Sequence, residues 1–153
     1  MKKSILLLFA AFIFLACENT ETISTALQAN LDTDFFRAYS VTAKANNADQ
    51  MITIIGNSDH EVFKLHTEWK GTGLYEITHN SPNFVTFTGL NGKAYTTQTP
   101  GSLGHIRIET DDIESQRLTG KFEFTFITAT DTIKVNRGIF YAVPYEIVDV
   151  VPD

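Results

Sequence analysis

From Thr25 onward the chain alternates apolar and polar positions with a period of two, in runs of roughly five to eight residues broken by Gly, Asn, Asp and Pro. Such alternation is what a half-buried strand needs, because successive side chains leave a strand on opposite faces. Thr25 to Leu31 puts Leu27, Ala29 and Leu31 on one face, and Asp32-Thr33-Asp34 turns the chain toward Phe35 and Phe36. Gln50 to Ile55 is a mostly apolar strand that ends at Gly56-Asn57-Ser58-Asp59. Glu61 to Trp69 sends Phe63, Leu65 and Trp69 one way and Lys64, His66 and Glu68 the other. Gly71-Thr72-Gly73 is a turn, Leu74 to Thr78 a strand, and His79 to Asn83 a break.

Phe84 to Leu90 and Lys93 to Thr97 flank Asn91-Gly92, the pair that suits the two positive-φ positions of a type I′ hairpin. After a loop from Thr99 to Gly104, His105 to Thr110 carries Ile106 and Ile108 inward, and Lys121 to Ile127 carries Phe122, Phe124 and Phe126. A turn about Thr130-Asp131 precedes two more strands, Thr132 to Val135 and Ile139 to Val143. Only Ala38 to Asp49, rich in alanine, lacks the pattern and reads as a long loop or one short helix. With no sustained helical stripe, the expected fold is all-β: an antiparallel β-sandwich or partly closed barrel of roughly eight to ten strands, a meander of hairpins.

The N-terminus follows another rule. Lys2 and Lys3 precede an unbroken apolar run from Ile5 to Leu15, then Ala16 and Cys17, the sole cysteine. A charged start, a short apolar core and a small residue before the cut are the parts of a secretory signal, and the run is too short to span a bilayer. Leu15-Ala16-Cys17 resembles the lipobox of bacterial lipoproteins, which implies cleavage before Cys17 and lipidation of its thiol, although Phe14 stands where such motifs usually carry Leu. The alternative is an ordinary signal with an incidental cysteine, which would leave an unpaired thiol on an exported protein. The expected organisation is a signal over 1–16, lipidated Cys17 with a polar tether over 17–24, and one domain over 25–153.

Removal of residues 1–16 takes two of the twelve basic residues and none of the eighteen acidic ones, so the formal charge falls from −6 to −8. An acidic surface repels phosphate backbones and anionic headgroups, which argues against nucleic acid and leaves membrane attachment to the lipid. With its cysteine lipidated, the domain has no disulfide, thiol nucleophile or thiolate metal site, and its stability must come from packing.

The order of Leu27-Gln28-Ala29, Met51 to Gly56, Gly71 to Tyr75, Leu118 to Phe124 and Asn136 to Phe140 resembles the small uncharacterised lipoproteins of Bacteroidetes-type bacteria. The resemblance covers most of the mature chain and implies an all-β domain on a lipid anchor. It transfers no catalytic residue. It departs at the first hairpin, where Asp32-Thr33-Asp34 lacks the Gly such domains tend to carry. Asp131-Thr132-Ile133 resembles the three-residue O-glycosylation pattern of the same bacteria, with a plain turn as the simpler reading.

Few residues are candidates for chemistry. His66 and Glu68 share a strand face at a spacing compatible with joint metal ligation, but a metal needs three or four such groups to converge, and a solvated polar face explains them more simply. Glu109, Asp111, Asp112 and Glu114 form the densest acidic cluster, where calcium would find oxygen ligands, yet the spacing and central Gly of an EF-hand are missing. No cofactor is implied, and no nucleophile elbow, phosphate loop or dinucleotide fingerprint occurs. Tyr75, Tyr95, Tyr141 and Tyr145 are candidates for a ligand face, against the simpler account of half-buried strand residues.

The expectation is therefore a non-catalytic binding or assembly module of the cell envelope, with an envelope protein or glycan as partner. The alternative is a hydrolase of envelope or imported glycans, for which adjacent loop acids give no paired carboxylates across a cleft. Glu18 after Cys17, in place of the Asp associated with inner-membrane retention, points by resemblance to the outer membrane, with either face open. Seven extended residues from Glu18 to Ser24 reach only about 25 Å, which keeps the domain close to the leaflet that holds its lipid.

Overall fold

The computed structural model describes residues 24–149, which form eleven strands and no helix. The elements are β1 (Ala26–Leu31), β2 (Asp34–Arg37), β3 (Ser40–Asn46), β4 (Met51–Asn57), β5 (Val62–Glu68) and β6 (Gly73–Thr78). They continue with β7 (Phe84–Thr88), β8 (Ala94–Thr96), β9 (Leu103–Asp112), β10 (Arg117–Ile127) and β11 (Thr132–Val148). Nine of them form one path in the order β6-β9-β10-β11-β3-β4-β5-β7-β8, and β1 joins it through β11 and carries β2. The sheet curls into a half-barrel, so the partly closed barrel, not the sandwich, is the form adopted.

Burial follows the alternation. Leu27, Phe63, Leu65, Ile106, Phe122, Phe126 and Phe140 are inaccessible to solvent, and Phe124 nearly so. Phe63 on β5 is the hub inside the curl: its ring centroid lies 5.3 Å from Phe36, 5.4 Å from Phe87, 5.5 Å from Phe122 and 5.9 Å from Phe124. One ring thus ties β2, β7 and β10 to β5, in tilted contacts worth about 0.5–1.5 kcal/mol each beyond their area.

Four expectations are corrected. The alanine-rich stretch is a strand, β3, with Ala43 and Ala45 buried, Thr42 and Lys44 exposed. Its period of two was hidden because the inward residues are small. The fold is also not a simple antiparallel meander, since Tyr145 to Val148 of β11 pair in parallel with Ala43 to Asn46 of β3, and β5 pairs with β7 and β6 with β9 across intervening strands. The two strands expected near the C-terminus are one, β11, whose register against β10 shifts twice, with Arg137 (φ 50°) and Ala142 (φ 46°) in the left-handed region. Such bulges bend a strand without ending it.

The Asn91-Gly92 hairpin, finally, is not type I′. Gly92 has φ 73°, but Asn91 is not left-handed; the Gly92 amide donates to the Gly89 carbonyl at 2.9 Å and the Gly89 amide to the Lys93 carbonyl at 3.0 Å. The turn is centred on Leu90-Asn91 and Gly92 follows it as the left-handed residue of a bulge.

Candidate functional site

Four connections meet at one end of the half-barrel: β1–β2, β4–β5, β7–β8 and β10–β11. Between them lies a cleft of about 380 Å³, its mouth edged by the carboxylates of Asp32, Asp34, Glu61 and Asp131. Leu31, Phe87, Leu90, Tyr95 and Ile133 supply apolar wall, and no Lys, Arg or His lines it.

Local rules place each rim residue. Asp32 occupies the left-handed region (φ 50°), which a short polar side chain tolerates better than most. Its amide donates to the Lys134 carbonyl at 2.9 Å and its Oδ1 accepts the Lys134 amide at 3.1 Å, so the β1–β2 turn is pinned to β11. Glu61 accepts a hydrogen bond from the Ser58 hydroxyl at 3.3 Å across its own turn, and Asp131 Oδ1 accepts the Thr132 amide at 2.8 Å. Asp34 makes no side-chain hydrogen bond or ion pair among the described residues. On the wall, Tyr95 stacks on Phe87 at 6.0 Å and carries the Lys93 ammonium 5.0 Å from its ring centre.

The residues singled out from sequence lie elsewhere. His66 is half-buried on β5, bonded through Nδ1 to the Thr53 hydroxyl at 2.7 Å, with the Phe84 ring 4.7 Å away. Burial pushes its pKa down, opposed by the negative charge of Asp49. Glu68 is paired with Lys70 at 2.5 Å, and the hydrogen bond from that ammonium pulls its pKa down. Asp111 turns inward: it accepts the Trp69 indole N–H at 2.9 Å and the Tyr145 hydroxyl at 3.0 Å, joining the ends of β5, β9 and β11. Asp112 caps its own turn through the amides of Glu114 and Ser115, both at 3.1 Å, which lowers its pKa. Glu109 is paired with Lys121 at 2.7 Å. Among the described residues no three His, Asp or Glu side chains converge as metal ligands.

The four tyrosines do not form a face. Tyr75 is buried and its hydroxyl donates to the Gly71 carbonyl at 2.7 Å; Tyr145 is buried on Asp111; Tyr141 is exposed opposite Ala26; only Tyr95 lines the cleft. Cys17, the signal before it and the tether up to Ile23 lie outside the described residues. In the sequence Asp32, Asp34 and Asp131 read as turn residues and Glu61 as the start of a strand, with nothing to mark the four as neighbours. The available signal was parity, since strands joined by tight hairpins return their turns to two ends only.

A second hollow, on the outer face of β9, β10 and β11, is lined by charges of both signs, among them Arg107, Arg137, Glu109 and Glu123.

The chain belongs to the family of the domain of unknown function DUF6252, which matches residues 23–144. No curated protein and no solved structure matches it.

Proposed function

We propose that this member of the DUF6252 family is an outer-membrane lipoprotein whose β domain is a non-catalytic binding or assembly module of the cell envelope. The observation that carries the reading is the run from Met1 to Cys17: two lysines, a short apolar core, and the sole cysteine directly after Leu15-Ala16. Because β1 starts at Ala26, nine residues past Cys17, an anchored domain stands within about 30 Å of its lipid. The roles of Glu68, Asp111 and Asp112 in pairing and capping fit a scaffold that holds a partner.

Metabolic labelling with radioactive palmitate, followed by density-gradient fractionation, tests this. The expected result is label on the protein in outer-membrane fractions, lost in Cys17→Ser together with membrane association. Unlabelled protein, or recovery with the inner membrane, overturns the anchor or its sorting. Protease added to intact cells separates the two faces of the outer membrane, and release of sugars from envelope glycans by the purified protein would overturn the non-catalytic reading.

A further inference from the structure

We propose that the cleft at the turn end of the half-barrel is a docking site for a basic side chain, arginine or lysine, carried by an extended segment of a partner protein. The inference rests on the reading of the domain as a binding module and names the chemistry of what it binds.

The occupant follows from the wall and the rim together. Four carboxylates from three separate connections edge the cleft and no cationic side chain lines it, so a positive charge is the complement. Leu31, Phe87, Leu90, Tyr95 and Ile133 line it with hydrocarbon and aromatic surface, which a bare cation cannot use. Lysine and arginine place a charged head on an apolar stem and satisfy both parts at once. The Tyr95 ring is already engaged, by Phe87 stacked at 6.0 Å and by the Lys93 ammonium at 5.0 Å, so the incoming stem packs on Leu31, Leu90 and Ile133 and the rim carboxylates hold its head. A metal ion fits less well, since Asp32 and Asp131 each give an oxygen to a backbone amide and no three ligating groups converge among the described residues. The cleft's volume matches sites for small-molecule-sized groups, room for one side chain and its flanking backbone.

Position agrees with a protein partner. β1 leaves the tether at Ala26 and reaches the cleft at Leu31, about 17 Å further on, so an anchored domain carries its cleft at the end away from the lipid. The acidic rim would in any case be repelled by anionic headgroups.

The test uses the full chain in neutral detergent micelles and a fluorescent heptapeptide alternating leucine and arginine, read by anisotropy. Expected is saturable binding that weakens about tenfold when citrulline, the neutral isostere, replaces arginine. The double variant Asp34→Asn with Glu61→Gln should weaken the arginine peptide to a similar extent; neither side chain bonds to backbone in its turn. Glu76→Gln with Glu123→Gln removes the same charge from exposed positions on β6 and β10 and should leave binding within about twofold. Asp34→Glu keeps the charge and should retain binding, which separates recognition from folding.

Equal binding of the citrulline peptide, an equal loss in the Glu76 and Glu123 control, or no binding overturns the proposal. Calcium that saturates the rim and competes with the peptide at micromolar concentration overturns it in favour of a metal site. Palmitate labelling reads the anchor independently, so a protein that binds the peptide without lipid and one that carries lipid without binding are told apart.

Discussion

Phe140 on β11 lies opposite Gly120 on β10, and its ring occupies the space a Cβ on Gly120 would need. Two residues along, the pair is inverted: Phe122 on β10 faces Gly138 on β11 and covers it in the same way. Each glycine lets a ring lie directly on backbone between the two register shifts of this strand pair, where the sheet bends. Gly120→Ala and Gly138→Ala should each destabilise the domain by about 1–3 kcal/mol, because the added methyl meets backbone carbonyl as well as ring. Denaturant midpoints measure this. Gly138→Ala combined with Phe122→Leu should cost less than the sum of the two single changes, since the smaller side chain vacates the disputed space.

Asn83 is a buried knot between three strands. Its Oδ1 accepts the Thr67 hydroxyl at 3.0 Å and the Glu68 amide at 2.8 Å, and its Nδ2 donates to the Glu76 carbonyl at 2.9 Å. Asn83→Ala strips partners from Thr67, which is fully buried, and from two backbone groups. A loss of about 3 kcal/mol is expected. Asn83→Asp keeps the two accepting bonds but buries a carboxylate with one oxygen against the Glu76 carbonyl, so at neutral pH its denaturant midpoint should be no higher than that of Asn83→Ala.

Most of the strands were legible because large side chains mark the inward face, as Phe122, Phe124 and Phe126 do on β10. β3 was illegible for the converse reason: Ala43 and Ala45 are buried but small, and small inward residues give no contrast. Alternation reports which face is buried and not which strand lies alongside, so the parallel contact of β3 with β11 left no trace in the pattern. The cleft was hidden more deeply. Asp32, Glu61 and Asp131 are far apart in sequence, the two aspartates reading as turn residues and Glu61 as the start of a strand, and only the curl of the sheet brings them to one rim. In sequence Asp111 reads as one acid of a link between two strands; its bonds to Trp69 and Tyr145 depend on strand ends brought together by folding.

Gly92 tests the β7–β8 turn. A Cβ at this position meets nothing within 4 Å, so any cost of a side chain is conformational and not steric crowding. At φ 73° a β-branched residue is strained, and Gly92→Val should lower stability by about 1 kcal/mol or more. Gly92→Asn, better tolerated in the left-handed region, should lose less. A type I′ turn would make Asn91 left-handed as well, and Asn91→Val would then add backbone strain to the loss of the hydrogen bond that Asn91 Oδ1 accepts from the Lys93 amide at 2.9 Å. Here only that bond is lost, so thermal melts should show Asn91→Val and Asn91→Ala about equally destabilised.

Tyr145 gives the fold an alkaline limit. Burial, together with the hydrogen bond to Asp111 and its negative charge, pushes its hydroxyl up to about 12 from an ordinary value of 10.0. Between those values the unfolded chain releases the phenolic proton and the folded chain keeps it. The unfolded state therefore binds fewer protons, and stability must fall as pH rises through that window. Below about pH 10 the contribution is fully present. Tyr145→Phe removes the titrating group, so the part of the alkaline slope due to this residue should vanish while the general loss from lysine deprotonation remains. At neutral pH the same variant should cost about 0.5–1.5 kcal/mol for the lost hydrogen bond, with Asp111 still held by the Trp69 indole. Denaturant midpoints of both proteins at pH 8, 10 and 11.5 decide the matter: parallel curves would show that Tyr145 titrates alike in the folded and unfolded chains.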